Sequence, residues 1–156
     1  MDLPKLNKNI NIVYFYNNSI VSPEKIKYYF YKKNRAMPML YNVLGVSIFF
    51  GLNMGYKKIF LAGADHSWHN DLVVKNNNKL YWKNSHFWDQ EEADLTPIWV
   101  DSFQKKTFKM YEILTSLSYT FSGYFELEKY SKYLNSEIYN ITKGSAIDAF
   151  EKPNND

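Results

Sequence analysis

The stretch "MLYNVLGVSIFFGLNMGYKKIFLAGADHSW", residues 39 to 68, constrains the fold more than any other. It begins as an apolar helix that carries hydrophobic side chains on nearly every side, the pattern of a helix packed between layers. Gly45, Ser47 and Gly51 allow close approach to a neighbouring backbone, and Gly55 stands where helices commonly stop. A two- or three-residue turn leads directly into Lys58 to Ala62, a short apolar run without polar alternation. Such runs belong to strands buried on both faces, the strands of parallel sheets. The segment Met37 to Tyr56 is apolar enough to raise the question of a membrane span. Pro38, Asn42 and Asn53 interrupt it, so it reads as a buried helix.

The flanking segments fit an α/β layer. "INIVYFY", 10 to 16, reads as a first strand, too short for a signal peptide. "SPEKIKYYFYKK" follows as a helix with Ser22 as cap, Pro23 in the first turn and Glu24 at the positive end of the dipole. "DLVVKNNNKLYW" has the form of a hairpin that turns at Asn76-Asn77-Asn78. From Thr96-Pro97 to Asn135 the apolar spacing predicts helix, broken or kinked into two at Ser122-Gly123. "EIYNIT", 137 to 142, reads as a last strand, and "EKPNND" as a frayed tail. The expected organisation is one α/β domain over 1–152 with 153–156 as tail. Its sheet is short and mostly parallel, with a hairpin insertion and long C-terminal helices. Ligands of such sheets bind beyond the carboxyl ends of the strands.

Just past one such end lie Gly63, Asp65, His66, Ser67, Trp68, His69 and Asp71. All three histidines of the chain, His66, His69 and His86, fall within one window, together with Asp65, Asp71 and Asp89. His-x-x-His beside carboxylates can hold a divalent ion, but no HExxH spacing is present. Acid–base chemistry is the better reading: a histidine takes the proton of an attacking hydroxyl, and Asp65 orients an imidazole or a sugar hydroxyl. The plainer reading is that Asp65 and Ser67 cap a turn and the histidines are polar surface. Trp68 and Trp88 are left open between ligand stacking and packing, whereas Trp82 is assigned to packing. Arg35, the chain's one arginine, precedes Pro38 and so reads as a phosphate or carboxylate contact at a helix N-terminus, with surface solubility as the alternative.

The remaining composition narrows the partners. The net charge of +3 is spread among mixed signs, so nucleic acid is not expected. With no cysteine, disulfides and thiolate metal sites are excluded. There is no GxGxxG, Walker loop or GxSxG.

Gly55-Tyr56-Lys57, the strand Ile59 to Ala62 and Gly63-Ala64-Asp65 together resemble the helix–strand–loop core of the MptE-like (DUF115) family and of bacterial sialyltransferases that act on lipooligosaccharide. "NSHF", 84 to 87, is similar to an Asn-Ser-His-aromatic stretch of the sialyltransferases, and "YNITKGSAIDAFEK" to the closing strand and Gly-rich tail of the MptE-like group. The resemblance spans roughly residues 30 to 152. It implies a three-layer, Rossmann-like glycosyltransferase of bacterial surface glycan synthesis, here its C-terminal part or a shortened relative. The donor would be a nucleotide-activated sugar, CMP-linked in the sialyltransferase branch, the acceptor a glycan, and no metal or other cofactor is implied. Those enzymes carry their base slightly downstream of the Asn-Ser-His stretch, where this chain has Gln90, so His86 or His66 would serve instead, with Asp65 beside it. The candidate substrate contacts are Arg35, Asn42, Gly63, Ser67, Trp68, His69, Asn84, Ser85, Trp88 and Asp89. The expected setting is cytoplasmic, at the inner membrane face by peripheral contact, with self-association through uncovered strand edges. Two other functions remain open: a binding or assembly module without turnover, and a metal-dependent hydrolase built on His66, His69 and Asp65.

Overall fold

In a computed structural model the chain is described over residues 16–84 and 94–153. All but Tyr16 of the expected first strand lies outside these residues, as do Ser85, His86, Trp88 and Asp89. The chain divides into two compact units, Met1–Pro38 and Met39–Asp156.

The first unit carries α1, Glu24–Lys32. The cap is Pro23 and not Ser22, whose hydroxyl finds no partner among the described residues; the Pro23 carbonyl instead accepts from the amides of Ile26 and Lys27. The helix ends where Asn34 takes a left-handed backbone (φ 52°), so that Asn34 N–H returns to the Tyr31 carbonyl and Arg35 N–H to that of Phe30. This is the paired-bond C-terminal motif whose left-handed position is usually glycine and sometimes, as here, asparagine.

In the second unit α2 covers Val43–Asn53. It starts five residues later than Pro38 would suggest, because Asn42 is a stronger start signal. Its backbone is extended, and its Oδ1 accepts from Gly45 N at 2.8 Å. Gly55 (φ 91°) closes the helix, with Gly55 N–H bonded to Leu52 O and Tyr56 N–H to Gly51 O. The chain then enters β1, Lys58–Leu61, as the sequence leads one to expect. Residues Trp68–Asp71 make a short 3-10 turn before β2, Leu72–Val74, and β3, Leu80–Asn84. These two strands form the expected antiparallel hairpin. Asn78 has φ 56°, and the Asn77 side chain accepts from Lys79 N.

Past the hairpin the expected helix from residue 96 is replaced by strand. β4, Asp94–Pro97, pairs with β3, while β5, Trp99–Asp101, and β6, Lys106–Thr107, make a second small hairpin. The apolar pair Trp99 and Phe103 had helical spacing, but a turn separates them. Asp101 Oδ1 accepts from Phe103 N and Gln104 N, and Phe103 points into solvent. The helix proper, α3, runs over Met110–Tyr133; Glu112 reaches back to Lys109 N at 2.7 Å, and Asn135 (φ 51°) closes the far end. One continuous helix of 24 residues therefore stands where two were expected. Gly123 does not break it. A Cβ at that position would lie 2.6 Å from the Met39 carbonyl oxygen and 2.9 Å from Leu40 Cδ2, so glycine is what lets α3 pass against this backbone.

The last strand, β7 (Glu137–Asn140), lies parallel to β1 in the register Lys58–Glu137 to Leu61–Asn140. Among the described strands only these two pair in parallel, extended by a parallel bridge from Tyr139 to Glu151; the other sheets, β2-β3-β4 and β5-β6, are antiparallel. The fold is thus α/β, with small sheets in place of one mostly parallel sheet. The core joins Ile48, Phe49 and Leu52 of α2 to Tyr124, Leu127 and Tyr130 of α3, with Leu61, Ile138, Ile147 and Phe150. Phe49 stacks on Tyr130 at 5.9 Å, and the Tyr130 hydroxyl donates to Asn53 Oδ1 at 2.6 Å. The tail is pinned as far as Lys152: Asn140 N–H bonds Glu151 O at 2.8 Å and Lys152 Nζ bonds Ser145 O at 2.7 Å.

Gly123→Ala is expected to destabilise the protein by about 1–3 kcal/mol through overpacking, although alanine is the better helix former by about 1 kcal/mol. Gly51→Ala meets only the flexible end of Ile59, at 3.1 Å, and should cost clearly less. Urea unfolding midpoints of both variants test the contrast; equal midpoints would refute it.

Candidate functional site

β1 and β7 end side by side, and the loops that leave them, 62–67 and 141–147, are joined by hydrogen bonds. The Thr142 hydroxyl accepts from Ala64 N at 3.0 Å and donates to Leu61 O at 3.4 Å. Ser145 Oγ donates to Ala64 O at 2.6 Å, and Ala146 N–H bonds Asp65 O at 2.7 Å. Buried Asn140 completes this seam: its amide donates to Ser145 Oγ and Ile147 O while its Oδ1 accepts from Thr142 N. Gly63 (φ 72°) permits the sharp exit from β1.

This anchoring divides the Asp-His-Trp cluster into an outward and an inward part. His66 takes a left-handed backbone (φ 53°) and is only 6% exposed. Its Nε2 lies 2.6 Å from the Tyr124 hydroxyl. That hydroxyl oxygen also accepts from Asn42 Nδ2 at 2.9 Å. Because Asn42 Oδ1 is committed to Gly45 N, its amide group can only donate to Tyr124. The phenol oxygen keeps a second lone pair as well as its own proton, so either ring tautomer makes this bond: the phenol donates to an unprotonated Nε2 or accepts from Nε2–H. Burial lowers the His66 pKa, against a smaller pull from Asp65, and burial pushes the Tyr124 hydroxyl up to about 12. Both groups are held uncharged, and the bond between them is neutral. The His66 ring also packs on Trp68, with centroids 4.1 Å apart.

The outward part is exposed Asp65 with half-buried Ser67 and Trp68. Ser67 Oγ donates to Asp65 Oδ2 at 2.7 Å, and this bond, opposed by partial desolvation, lowers the carboxyl pKa. An ionised carboxylate beside a hydroxyl is suited to a ligand rich in hydroxyls, from which the carboxylate accepts, and half-buried Trp68, packed on His66, follows three residues along the chain.

The other expected contacts are distributed differently. His69 is exposed on the 3-10 turn. Arg35 is exposed and follows the C-terminus of α1; the helix after it begins only at Val43, which removes the helix N-terminus on which a phosphate contact was argued. Asn42 is a helix cap and the second partner of Tyr124, a structural duty in place of an open substrate contact. Asn84 ends β3, and Ser85, His86, Trp88 and Asp89 lie outside the described residues. Among the described residues no cluster of three His, Asp or Glu side chains could hold a metal ion, so His66, His69 and Asp65 do not assemble the centre a hydrolase would need. Sequence reasoning missed Tyr124, Asn140, Thr142 and Ser145. Asn140 ends β7, and Thr142, Gly144 and Ser145 follow it, as Gly63, Asp65 and Ser67 follow β1, and that likeness was the available signal. Tyr124, in mid-helix, offered none.

No family model matches the chain, and comparisons with characterised proteins and with solved structures likewise yield no match.

A histidine with a lowered native pKa binds fewer protons than the unfolded chain as pH falls through about 6.5, so stability must decline there. Asp65, also lowered, adds its loss only as pH falls through the carboxylate range. The urea midpoint is expected to fall between about pH 7.5 and about pH 5.5, and to fall less in His66→Gln. An equal fall in both proteins would remove His66 as the cause. Separately, Asn42→Ala gives up the cap and the Tyr124 bond and should cost about 1–3 kcal/mol in the same assay.

Proposed function

We propose that the chain is a Rossmann-like glycosyltransferase domain that binds a nucleotide-activated sugar, CMP-linked sugars being the first candidates, beyond the carboxyl ends of β1 and β7. The observation that carries this reading is the position of Asp65, Ser67 and Trp68 together on the loop that leaves a parallel strand, the usual ligand side of such sheets. The parallel pair β1–β7 is the part of the fold that supports the Rossmann-like assignment. An ionised carboxylate repels phosphate, so Asp65 is assigned to sugar or acceptor hydroxyls and not to the diphosphate or monophosphate of the donor. His66 is a positioning residue, because its Nε2 is committed to Tyr124 and its side chain is buried. His86 remains the candidate base for the acceptor hydroxyl. The work would be done in the cytoplasm, in bacterial surface glycan synthesis.

The same commitment of His66 favours one second reading: a module that binds the donor without transferring it.

Thermal shift of the purified chain with CMP-, UDP- and GDP-sugars tests binding. One donor should raise Tm, by mass action worth about 2.7 kcal/mol at a hundredfold excess over Kd, and Asp65→Asn should weaken that response. No response to any donor would sink both readings. Release of free nucleotide from the bound donor, lost in His86→Ala, would select the transferase over the module.

A further inference from the structure

The β5–β6 hairpin ends in a tip for which the fold itself has no use. Phe103 is 98% exposed, yet its backbone is firmly held: Asp101 Oδ1 accepts from Phe103 N at 2.9 Å and from Gln104 N at 3.1 Å, and Lys105 (φ 51°) closes the turn onto Ser102 O. The hairpin is fixed to the end of the β2-β3-β4 sheet by bonds from Ile98 N to Leu80 O and from Leu80 N to Thr107 Oγ1. Val74 and Val100, about half exposed, lie on the strands at this same end. Lysines surround the apolar groups. Lys79 Nζ is 5.8 Å from the Trp99 ring and Lys75 Nζ is 4.6 Å from the Tyr81 ring, while Lys105 follows Phe103 in the turn and exposed Lys106 opens β6. The residues at this end, 74–81 and 97–107, contain four lysines and one acid, Asp101, whose carboxylate is engaged in the turn.

We propose that this tip docks the protein on an anionic lipid surface, with Phe103 inserted at the headgroup boundary and the lysines against the headgroups. An exposed aromatic side chain on a rigid turn loses little conformational freedom when it inserts, and basic residues around it supply attraction that salt screens. The charge decides for an anionic over a neutral surface. Nucleic acid fits less well, because valines offer no face on which bases stack and the apex carries one aromatic ring where a strand needs a series. This surface is separate from the Asp65 loop and does not depend on the function proposed for it.

Flotation of the full chain with phosphatidylcholine vesicles, and with vesicles that also contain phosphatidylserine, tests the proposal. Binding is expected only to the second, and it should decline as salt is raised. Phe103→Ser should reduce it by about tenfold or more. Lys105→Ser combined with Lys106→Ser should reduce it by about fivefold per lysine. Because these side chains are all exposed, both variants should keep the parental Tm, and binding is compared at matched folded fraction. Equal binding to neutral vesicles, or undiminished binding by Phe103→Ser, would overturn the proposal. So would absent vesicle binding, including the case in which a single-stranded oligonucleotide binds through Phe103 instead.

Discussion

The Tyr124 hydroxyl is the point on which the second unit turns. It stands in the middle of α3, accepts from the residue that caps α2, and is hydrogen-bonded to the buried histidine of the loop after β1. Three segments far apart in the chain thus meet at one oxygen, each through a group that burial would otherwise leave unsatisfied. Such a node is effective because a buried polar group without a partner is costly, so each bond limits where its segment can settle. The position of the phenol in turn depends on Gly123, whose missing side chain lets α3 approach the backbone at Met39 and Leu40.

The second fixed feature is the seam between the loops that follow β1 and β7. Two parallel strands offer little sheet, and parallel strands ordinarily need cover on both faces. Here the polar ends are joined through Thr142, Ser145 and Asn140, and the chain after β7 returns so that Glu151 bonds the Asn140 amide. The outer face is less completely covered: Phe60 and Tyr139 stack at 5.3 Å and Phe60 is more than half exposed. Rigidity is therefore concentrated where Asp65 and Trp68 are displayed, which is where a binding loop needs it.

Legibility in the sequence followed the range of the interactions. The α2–β1 passage, the hairpin at Asn76-Asn77-Asn78 and the strand at 137 were readable because glycine, asparagine and apolar runs act within a few residues. The three helix ends at Asn34, Gly55 and Asn135 share one paired-bond motif that needs a residue tolerant of positive φ. Residues 96 to 109 were misread as helix, since Trp99 and Phe103 are four apart and only the Asp101 turn decides otherwise. Ser122-Gly123 was misread as a break because local propensity says nothing of the Met39 carbonyl that faces it.

The sequence by itself determined that an apolar strand opens onto Asp65, His66, Ser67 and Trp68, since that depends only on the order of residues and on the alternation of local propensities. Which of these side chains would face solvent was decided by tertiary structure alone. His66 is drawn inward because a phenol 58 positions away bonds its Nε2 and is itself held by the Asn42 amide, and Asp65 is left outward because the neighbouring loop takes its carbonyl and not its carboxylate. Contacts over such separations carry no local periodicity, so no pattern within the loop could have announced them.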